Sequence, residues 1–376
     1  MRHTIVPRIG MIIIVMASWS FALWRDARPI EGGPSYFEVL AQLPPLTKTT
    51  SDQALYMHIV RRVHDGEGYY SASTNVLFQK EALDQGGRDF STPFSHRLPT
   101  LYLLLGALPP TGMPYVVALL LAGTLATVSG YALASRFAST PLALISCALI
   151  AWFYTNVASS VVIFAPEVWA AAFGVLSLAL FVRVDPEDGG RIPATMWAAA
   201  GAAVAAVLFR EIAVAFVLVG LAASLADARS RSARHHLPWL VAIALSAAVY
   251  LAHMIAVSPW LTQTPAMVTM PWFDPDGSGV VGSVVRLATL LAVPWPVSAV
   301  LIALGIAGSL IAPMERPYRV VLAATTIGGI AIMAVFHPPG YGVAGTPPAY
   351  WYDLVAPATL ACAPLALTFW PRLRAM

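Results

Sequence analysis

Charged residues are scarce in this 376-residue chain: they make up 11% of it, whereas a soluble domain averages about 25%. Cysteine is scarcer still, because Cys147 and Cys362 are the only two, and both lie in apolar runs without a metal-ligand pattern. The net charge of +3 forms no basic stripe of the kind that follows nucleic acid. These shortages exclude an ordinary water-soluble protein and a nucleic-acid partner.

Apolar residues, by contrast, make up 58% of the chain and form runs long enough to cross a bilayer, which takes about 20 residues per helix. After the first such run, at 9–24, the others occupy 113–134, 142–164, 165–183, 194–209, 211–226, 237–257, 287–312, 318–336 and 350–370, with a shorter run at 98–109. The pattern predicts an all-α, polytopic helical membrane protein with about 10 or 11 transmembrane helices. No repeat or linker divides residues 1–376, so a single membrane-embedded domain is expected.

The first apolar run follows Arg2 and Arg8 and resembles a secretory signal peptide. It ends in Leu23-Trp24-Arg25, without the small residues of a cleavage site. We therefore expect an uncleaved first span with a cytoplasmic N-terminus, in preference to the alternative of a cleaved signal.

Clusters of arginine at 229–234, 316–319 and 372–374 predict cytoplasmic loops, because basic residues favour that side of the membrane. Counting spans back from these loops places residues 25–97 outside the cytoplasmic (inner) membrane only if the run at 98–109 does not cross. The alternative, in which this run crosses and a later loop breaks the rule, stays open.

Residues 25–97 hold 17 of the 41 charged residues and form the predicted large external loop. Thr50 and Gln53 have the order of a capping box, which predicts that a helix begins there. The residues that follow recur at the spacing of an amphipathic helix on the membrane surface: Leu55, Ile59 and Val63. A second short helix is predicted at about Thr74–Leu83.

This loop resembles the first external loop of the GT-C glycosyltransferases, which include the protein O-mannosyltransferases and the aminoarabinose transferases of lipid A. The matching elements are Asp52-Gln53, Tyr56, the turn Gly66–Tyr70 and His96-Arg97-Leu98-Pro99. In those relatives the loop carries an Asp-Glu pair and a Gly-Tyr-rich turn, and it closes on a basic residue followed by Pro-Pro and an aromatic residue. The likeness is strongest over residues 50–105.

The resemblance implies a polyprenyl-phosphate sugar as donor and an envelope glycan, lipid or protein outside the membrane as acceptor. It implies that Asp52 is the catalytic base and that Arg97, with His96, lies near the donor phosphate. The chemistry is compatible, because transfer from a lipid phosphate needs a carboxylate to take the acceptor's proton and cations to stabilise the phosphate.

Two positions depart from the family pattern. Gln53 stands where the relatives have a second acid, and Leu98 stands where they have the first proline of the pair. The subfamily therefore stays open, and so does a divalent metal held by a carboxylate pair.

Six further polar residues are candidates for contact with substrate. Asp65 and Glu67 lie in a glycine turn, where acids are also common for backbone reasons. Glu167 follows the proline that opens a span, where the helix dipole alone would favour a carboxylate. Each of these residues thus has a structural interpretation beside the functional one.

Arg210 and Glu211 separate two apolar runs. Because ionisable residues at membrane depth indicate function, Arg210 is a candidate for binding the donor phosphate. They could instead only end two helices at a tight turn. His337 and Tyr350 border the last external loop and are candidates near the donor, although Tyr350 could belong to an interfacial aromatic belt.

The sequence thus predicts a membrane glycosyltransferase. The alternative is a transporter or lipid flippase without transferase activity, which would show broken helices or charges near the middle of the membrane.

Overall fold

The computed structural model describes residues 2–29, 33–47, 50–83, 96–184, 192–226, 233–261, 278–335 and 349–369. These residues form α-helices and short 3₁₀ turns, and no β-strand occurs among them. The all-α prediction is therefore confirmed for the part of the chain that the structure describes.

Five helices precede the first long internal span: α1 (Arg2–Asp26), α2 (Tyr36–Ala41), α3 (Asp52–His64), α4 (Tyr69–Leu83) and α5 (Thr100–Gly106). Among the described residues, that span and the nine helices after it are, in chain order, α6 (Met113–Ala134), α7 (Thr140–Ala158), α8 (Pro166–Phe181), α9 (Ala194–Phe209), α10 (Val214–Ala226), α11 (Leu237–Val257), α12 (Ser278–Leu291), α13 (Trp295–Ile311), α14 (Arg316–Val335) and α15 (Ala356–Cys362). The predicted helix at Thr74–Leu83 is confirmed and begins five residues earlier.

Four described segments are long and apolar enough to cross a membrane: Pro7–Asp26, Met113–Ala134, Thr140–Ala158 and Leu237–Trp260. Four shorter apolar helices of 10–17 residues, which include α8 and α9, accompany them. The protein is therefore a helical membrane protein, while the count of 10 or 11 spans stays a prediction.

The run at 287–312 is not the single helix that its apolar residues suggest. The chain bends by 109° between α12 and α13, so the two helices lie almost at right angles. Ala292 adopts a positive φ of 51° in this bend, and Pro294 cannot donate a backbone hydrogen bond. Together they end α12 and begin a new helix direction.

The short run at 98–109 forms only α5, whose seven residues extend about 10 Å at the rise of an α-helix. A bilayer core is about 30 Å thick, so α5 is too short to cross it. The structure therefore agrees with the topology in which this run does not cross.

Polar side chains gather at one end of the helix bundle, termed the site end here. Arg25, at the end of α1, donates to the Thr155 carbonyl near the end of α7 at 2.6 Å. Glu167, in the first turn of α8, pairs with Arg210, directly after α9, at 2.7 Å. The ends of α1, α7 and α9 and the start of α8 therefore share one side of the protein.

The opposite end, termed the basic end, carries exposed arginines. Tyr318, near the start of α14, donates to the Val184 carbonyl beyond α8 at 3.2 Å, and its ring contacts Phe137 beyond α6. The exposed basic side chains near these helix ends are Arg136, Arg183, Arg316 and Arg319.

The helix α3 begins one residue later than the capping box predicts. Ser51 is its N-cap, and the Ser51 hydroxyl accepts from the Ala54 backbone N–H at 3.3 Å. Thr50 instead accepts from the Thr47 backbone N–H at 2.7 Å. The helix is confirmed, but the predicted capping box is wrong because Gln53 is only the second helical residue.

The apolar face of α3 packs inside the protein and not on lipid. Leu55, Ile59 and Val60 are buried, and α3 contacts α4, α5 and the turn at 161–164. A Cβ atom added to Gly106 of α5 would lie only 2.6 Å from Val63, so the two helices approach closely. The amphipathic pattern is confirmed and protein covers its apolar face, while the position of α3 at the membrane surface stays a prediction.

Candidate functional site

Arg97 lies between a tyrosine and a carboxylate at the site end. Its Nε atom donates to the Tyr56 hydroxyl at 3.1 Å, and one of its terminal nitrogens lies 3.5 Å from Glu211 Oε1. The side chains of Arg97 and Glu211 remain 15% and 24% exposed. Both can therefore contact a ligand while they stay paired.

Arg210 is enclosed between two carboxylates. Its Nε atom lies 2.7 Å from Glu167 Oε1, and it also pairs with Glu211. The side chains of Arg210 and Glu167 are each only 1% exposed. Because an unpaired buried charge is costly, Glu167 serves first as the partner that keeps Arg210 inside the protein.

A second buried pair completes this group of charges. Arg286 of α12 donates to both carboxylate oxygens of Asp353, at 2.6 Å to Oδ2 and 3.0 Å to Oδ1. Asp353 is fully buried, and Glu167 lies close enough to act electrostatically on both residues. Positive and negative side chains therefore alternate across the site end.

Tyr56 connects the predicted catalytic residues. Burial raises the pKa of Tyr56 to about 12, although the positive charge of Arg97 opposes the shift, and the negative charges of Asp52 and Glu167 add to it. Asp52 precedes Tyr56 by four residues on α3, so both lie on the same side of the helix. Asp52 is half-buried. Arg97 therefore contacts the Tyr56 hydroxyl directly, and the charges of Asp52 and Glu167 act on the same hydroxyl.

His96 is buried beside Arg97. Its Nδ1 atom lies 3.1 Å from the Ser73 hydroxyl. Burial, with smaller contributions from His253 and Arg97, lowers the pKa of His96 to about 4. His96 is therefore uncharged near neutral pH, and a phosphate contact by His96 would be a hydrogen bond and not a charge pair.

Neighbouring helices hold the backbone at His96 and Arg97. The Tyr69 hydroxyl of α4 donates to the Arg97 carbonyl, and His253 Nε2 of α11 lies 3.1 Å from the His96 carbonyl. A carbonyl can only accept, so Nε2 carries the proton and Nδ1 of the neutral ring accepts from the Tyr70 hydroxyl at 3.1 Å. Two helices thus fix the position of the Arg97 backbone.

Asp65 and Glu67 lie away from this group. The 13 residues of α3 extend about 20 Å, and Asp65 is exposed at the opposite end from Asp52. Glu67 accepts from Ser71 and from Asn75, and the Ser71 hydrogen bond lowers the pKa of Glu67. These contacts give Glu67 a structural role at the start of α4.

Two sequence candidates cannot be placed. His337 lies outside the described residues, and so does the side chain of Tyr350. Within the described ranges, no group of three or more His, Cys, Asp or Glu side chains could hold a metal ion. A divalent metal held jointly by protein and substrate phosphate therefore stays a prediction.

The sequence analysis did not single out His253, Arg286 or Asp353. His253 is the one histidine, acid or basic residue in the apolar stretch 237–257, and such a residue at membrane depth indicates function or a buried partner. Asp353 follows three aromatic residues, and this stretch was interpreted as an interfacial aromatic belt. Applied to every charged residue and histidine in an apolar run, the same membrane-depth argument would have identified His253 and Asp353 as candidates.

An apolar groove of about 480 Å³ lies between α10, α14 and the turn that leads into α15. Ile212, which follows Glu211, and Leu354, which follows Asp353, line the end of the groove nearest the charges. Leu218 lines it farther along α10 and is half exposed on the outside of the bundle, so the groove opens sideways. The volume lies within the range of about 300–1,000 Å³ that is typical of ligand pockets.

Comparison with known proteins adds no assignment: no protein-family model, curated protein or solved structure matches the chain. The likeness to the GT-C glycosyltransferases therefore rests on the loop motifs at 50–105 alone. The function has to be argued from the geometry of the site end.

Proposed function

We propose that the protein is an integral membrane glycosyltransferase with a GT-C-like fold. It transfers a sugar from a polyprenyl-phosphate donor to a hydroxyl of an envelope glycan, lipid or protein. The observation that carries the proposal is the grouping, at one end of a membrane-spanning bundle, of Asp52, the Arg97–Glu211 pair and a lateral apolar groove.

In the proposed reaction the acceptor oxygen attacks the anomeric carbon of the donor sugar. As this bond forms, the bond from the anomeric carbon to the phosphate oxygen breaks, and polyprenyl phosphate leaves with the electron pair. Asp52 accepts the proton of the acceptor hydroxyl, and Arg97 stabilises the charge that develops on the phosphate. One base and one leaving-group stabiliser suffice for an inverting transfer.

Arg97 and Arg210 have different roles in this mechanism. Arg97 keeps exposed surface and can contact the phosphate directly, whereas Arg210 is enclosed by Glu167 and Glu211. Arg210 holds Glu211, and Glu211 in turn holds the Arg97 guanidinium. The sequence-based assignment of Arg210 to the phosphate is therefore replaced by a positioning role.

The groove supports a lipid-linked donor. Ile212 and Leu354 line the groove, and each directly follows an acid that pairs with an arginine. A lipid tail in the groove can therefore place its phosphate on the side of these arginines, Arg97 and Arg286. Apolar tails lose no hydrogen bonds in such a lining, in which Thr325 is the one polar side chain.

The basic end supports an orientation with the site outside the cytoplasmic membrane. Exposed arginines favour the cytoplasmic side. Gly10 of α1 packs against Leu144, near the start of α7, while Arg25 contacts the end of α7. The N-terminus therefore lies at the basic end, which we propose is cytoplasmic.

Filling the groove tests the proposed donor. A Cβ atom added to Gly328 of α14 would meet open space in the groove, and the same holds for Gly201, which is exposed on α9 away from it. Gly328→Phe should reduce kcat/KM for a polyprenyl-phosphate sugar by about tenfold, equivalent to ~1.4 kcal/mol of binding. Gly201→Phe is the matched control and should leave it unchanged. Equal activity of both variants would contradict a donor tail in this groove.

The transporter alternative predicts helix breaks near mid-membrane. The break at Arg210 instead joins α9 to α10 at the site end, because Ser224, late in α10, lies beside His236 at the start of α11. The bend between α12 and α13 lies beside Trp152, which donates to the Leu291 carbonyl from the half of α7 that is nearer the site end. Sugar transfer by the purified protein, without any vectorial movement of substrate, separates the two functions.

A further inference from the structure

A row of aromatic rings leads from α5 to α11. Tyr102 stacks on Tyr69 with 5.2 Å between ring centroids, and Tyr69 meets Tyr70 edge-on at 5.0 Å. The His253 ring lies 5.7 Å from Tyr70 and 6.3 Å from Tyr250. Tyr102 and Tyr69 are buried, whereas Tyr70 and Tyr250 are only half-buried. The row therefore presents aromatic surface where α4 meets α11.

A free hydrogen-bonding group lies beside this surface. The Tyr250 hydroxyl has no hydrogen-bond partner among the described residues, and the charges of Glu211 and Arg97 act on it. Glu211 Oε2 likewise has no partner in the described part of the chain, although Oε1 pairs with two arginines. Glu211 Oε2 is enclosed by protein, so the Tyr250 hydroxyl is the group that is available close to the exposed rings.

A sugar ring matches this combination of groups. One face of a pyranose carries C–H groups that pack on an aromatic ring, while its edge carries hydroxyls that exchange hydrogen bonds with a tyrosine. A phosphate would be repelled by Glu211 and is better placed at Arg97. A lipid tail would leave the Tyr250 hydroxyl without a hydrogen-bond partner.

We infer that Tyr70 and Tyr250 form the binding surface for a sugar ring, and that the Tyr250 hydroxyl exchanges a hydrogen bond with one of its hydroxyls. The inference rests on the proposed function, because it states where the sugar is held while Asp52 and Arg97 act. It assigns Tyr250 to the site although that residue lies within an apolar span, far in sequence from the external loop.

The test uses the purified full-length chain in lipid nanodiscs, without sugar-headed detergents, and D-mannose and D-glucose as probes. Saturation-transfer NMR should show ring protons of a bound sugar. Tyr250→Leu should weaken this binding about fivefold, the size expected when an aromatic contact is removed, and Tyr250→Phe should keep most of it. Tyr131→Leu, at a half-buried position on α6, is the matched control and should change nothing. Unchanged binding in Tyr250→Leu, or an equal loss in Tyr131→Leu, would overturn the inference.

A second measurement needs no variant. The same sugars should slow chemical nitration of Tyr250 in the wild-type protein, with Tyr131 as internal reference, as followed by mass spectrometry. Equal nitration rates with and without sugar would also overturn the subsite. Sugar binding without any transfer from a polyprenyl-phosphate sugar would reject the proposed function and leave the subsite standing. If Tyr250→Leu transfers sugar with an unchanged KM for the sugar, the subsite is rejected and the proposed function stands.

Discussion

The two ends of the helix bundle use arginine in opposite ways. At the site end, Arg97 is half-buried, Arg210 is fully buried and both are paired with acids, whereas at the basic end Arg136 and Arg316 are exposed. An exposed arginine contributes little to stability, but its position relative to the membrane directs topology. A buried arginine holds its neighbours in a fixed position, but the free energy of removing its charge from water has to be offset by an acidic partner. The buried arginines hold neighbouring side chains in position, whereas the exposed arginines set the orientation of the protein in the membrane.

Breaking the buried pair should have the largest effect. Glu167→Ala leaves Arg210 buried with Glu211 as its remaining carboxylate partner, and should destabilise the protein by about 3–5 kcal/mol. Arg316→Ala at the basic end is the control and should shift stability by less than about 0.5 kcal/mol. Thermal unfolding of both variants in nanodiscs measures the contrast.

The double variant Glu167→Leu with Arg210→Met separates charge burial from packing. Replacing both partners by apolar side chains of similar size should recover most of the lost stability. If the double variant is as unstable as Glu167→Ala, packing and not the unpaired charge explains the loss.

Acid should weaken the site end through His96. Its pKa is about 4 in the folded protein and 6.5 at its ordinary value, so above pH 6.5 the residue is neutral in both states and has no effect. As the pH falls below 6.5, the unfolded chain binds a proton that the folded protein does not, and up to about 3 kcal/mol of stability is lost by pH 4. His96→Gln should lack this part of the acid dependence. Identical pH profiles for the variant and the wild type would show that His96 does not titrate in this way.

The smallest expected effect compares two tyrosine hydroxyls. Tyr56 binds Arg97 at the site end, and Tyr318 donates to the Val184 carbonyl at the basic end. Tyr56→Phe and Tyr318→Phe should each cost about 1 kcal/mol of stability. Only Tyr56→Phe should also lower the rate of sugar transfer, because it removes a contact to the Arg97 guanidinium. An equal loss of activity in Tyr318→Phe would remove the functional distinction between the two ends.

The sequence was informative where local chemistry decides the outcome. Apolar runs predicted most helices, and Pro166 at the start of α8 was correctly identified as a helix start. The bend at Ala292 was missed because the apolar pattern continues through it. Periodicity shows that one face of a helix is buried, but not what covers it, so the apolar face of α3 was assigned to lipid and not to α5.

The candidate site was predictable only in part. The resemblance to the GT-C loop implied roles for Asp52 and Arg97, and the helix start at Pro166 drew Glu167 in. The structure joins Arg97 to Tyr56, and the charges of Asp52 and Glu167 act on the same tyrosine. Their pairings depend on contacts between residues more than 40 positions apart, such as Arg97 with Tyr56 and Arg286 with Asp353. No local pattern contains that information.

Sugar transfer by a matched pair of α3 variants tests the central claim most directly. Asp52 and Asp65 lie at opposite ends of the same helix, and only Asp52 lies near Arg97 and Tyr56. Purified Asp52→Asn should fold normally and lose transfer from a polyprenyl-phosphate sugar, because asparagine cannot accept the acceptor's proton. Asp65→Asn should transfer at the wild-type rate. Transfer by Asp52→Asn at the wild-type rate would contradict the account.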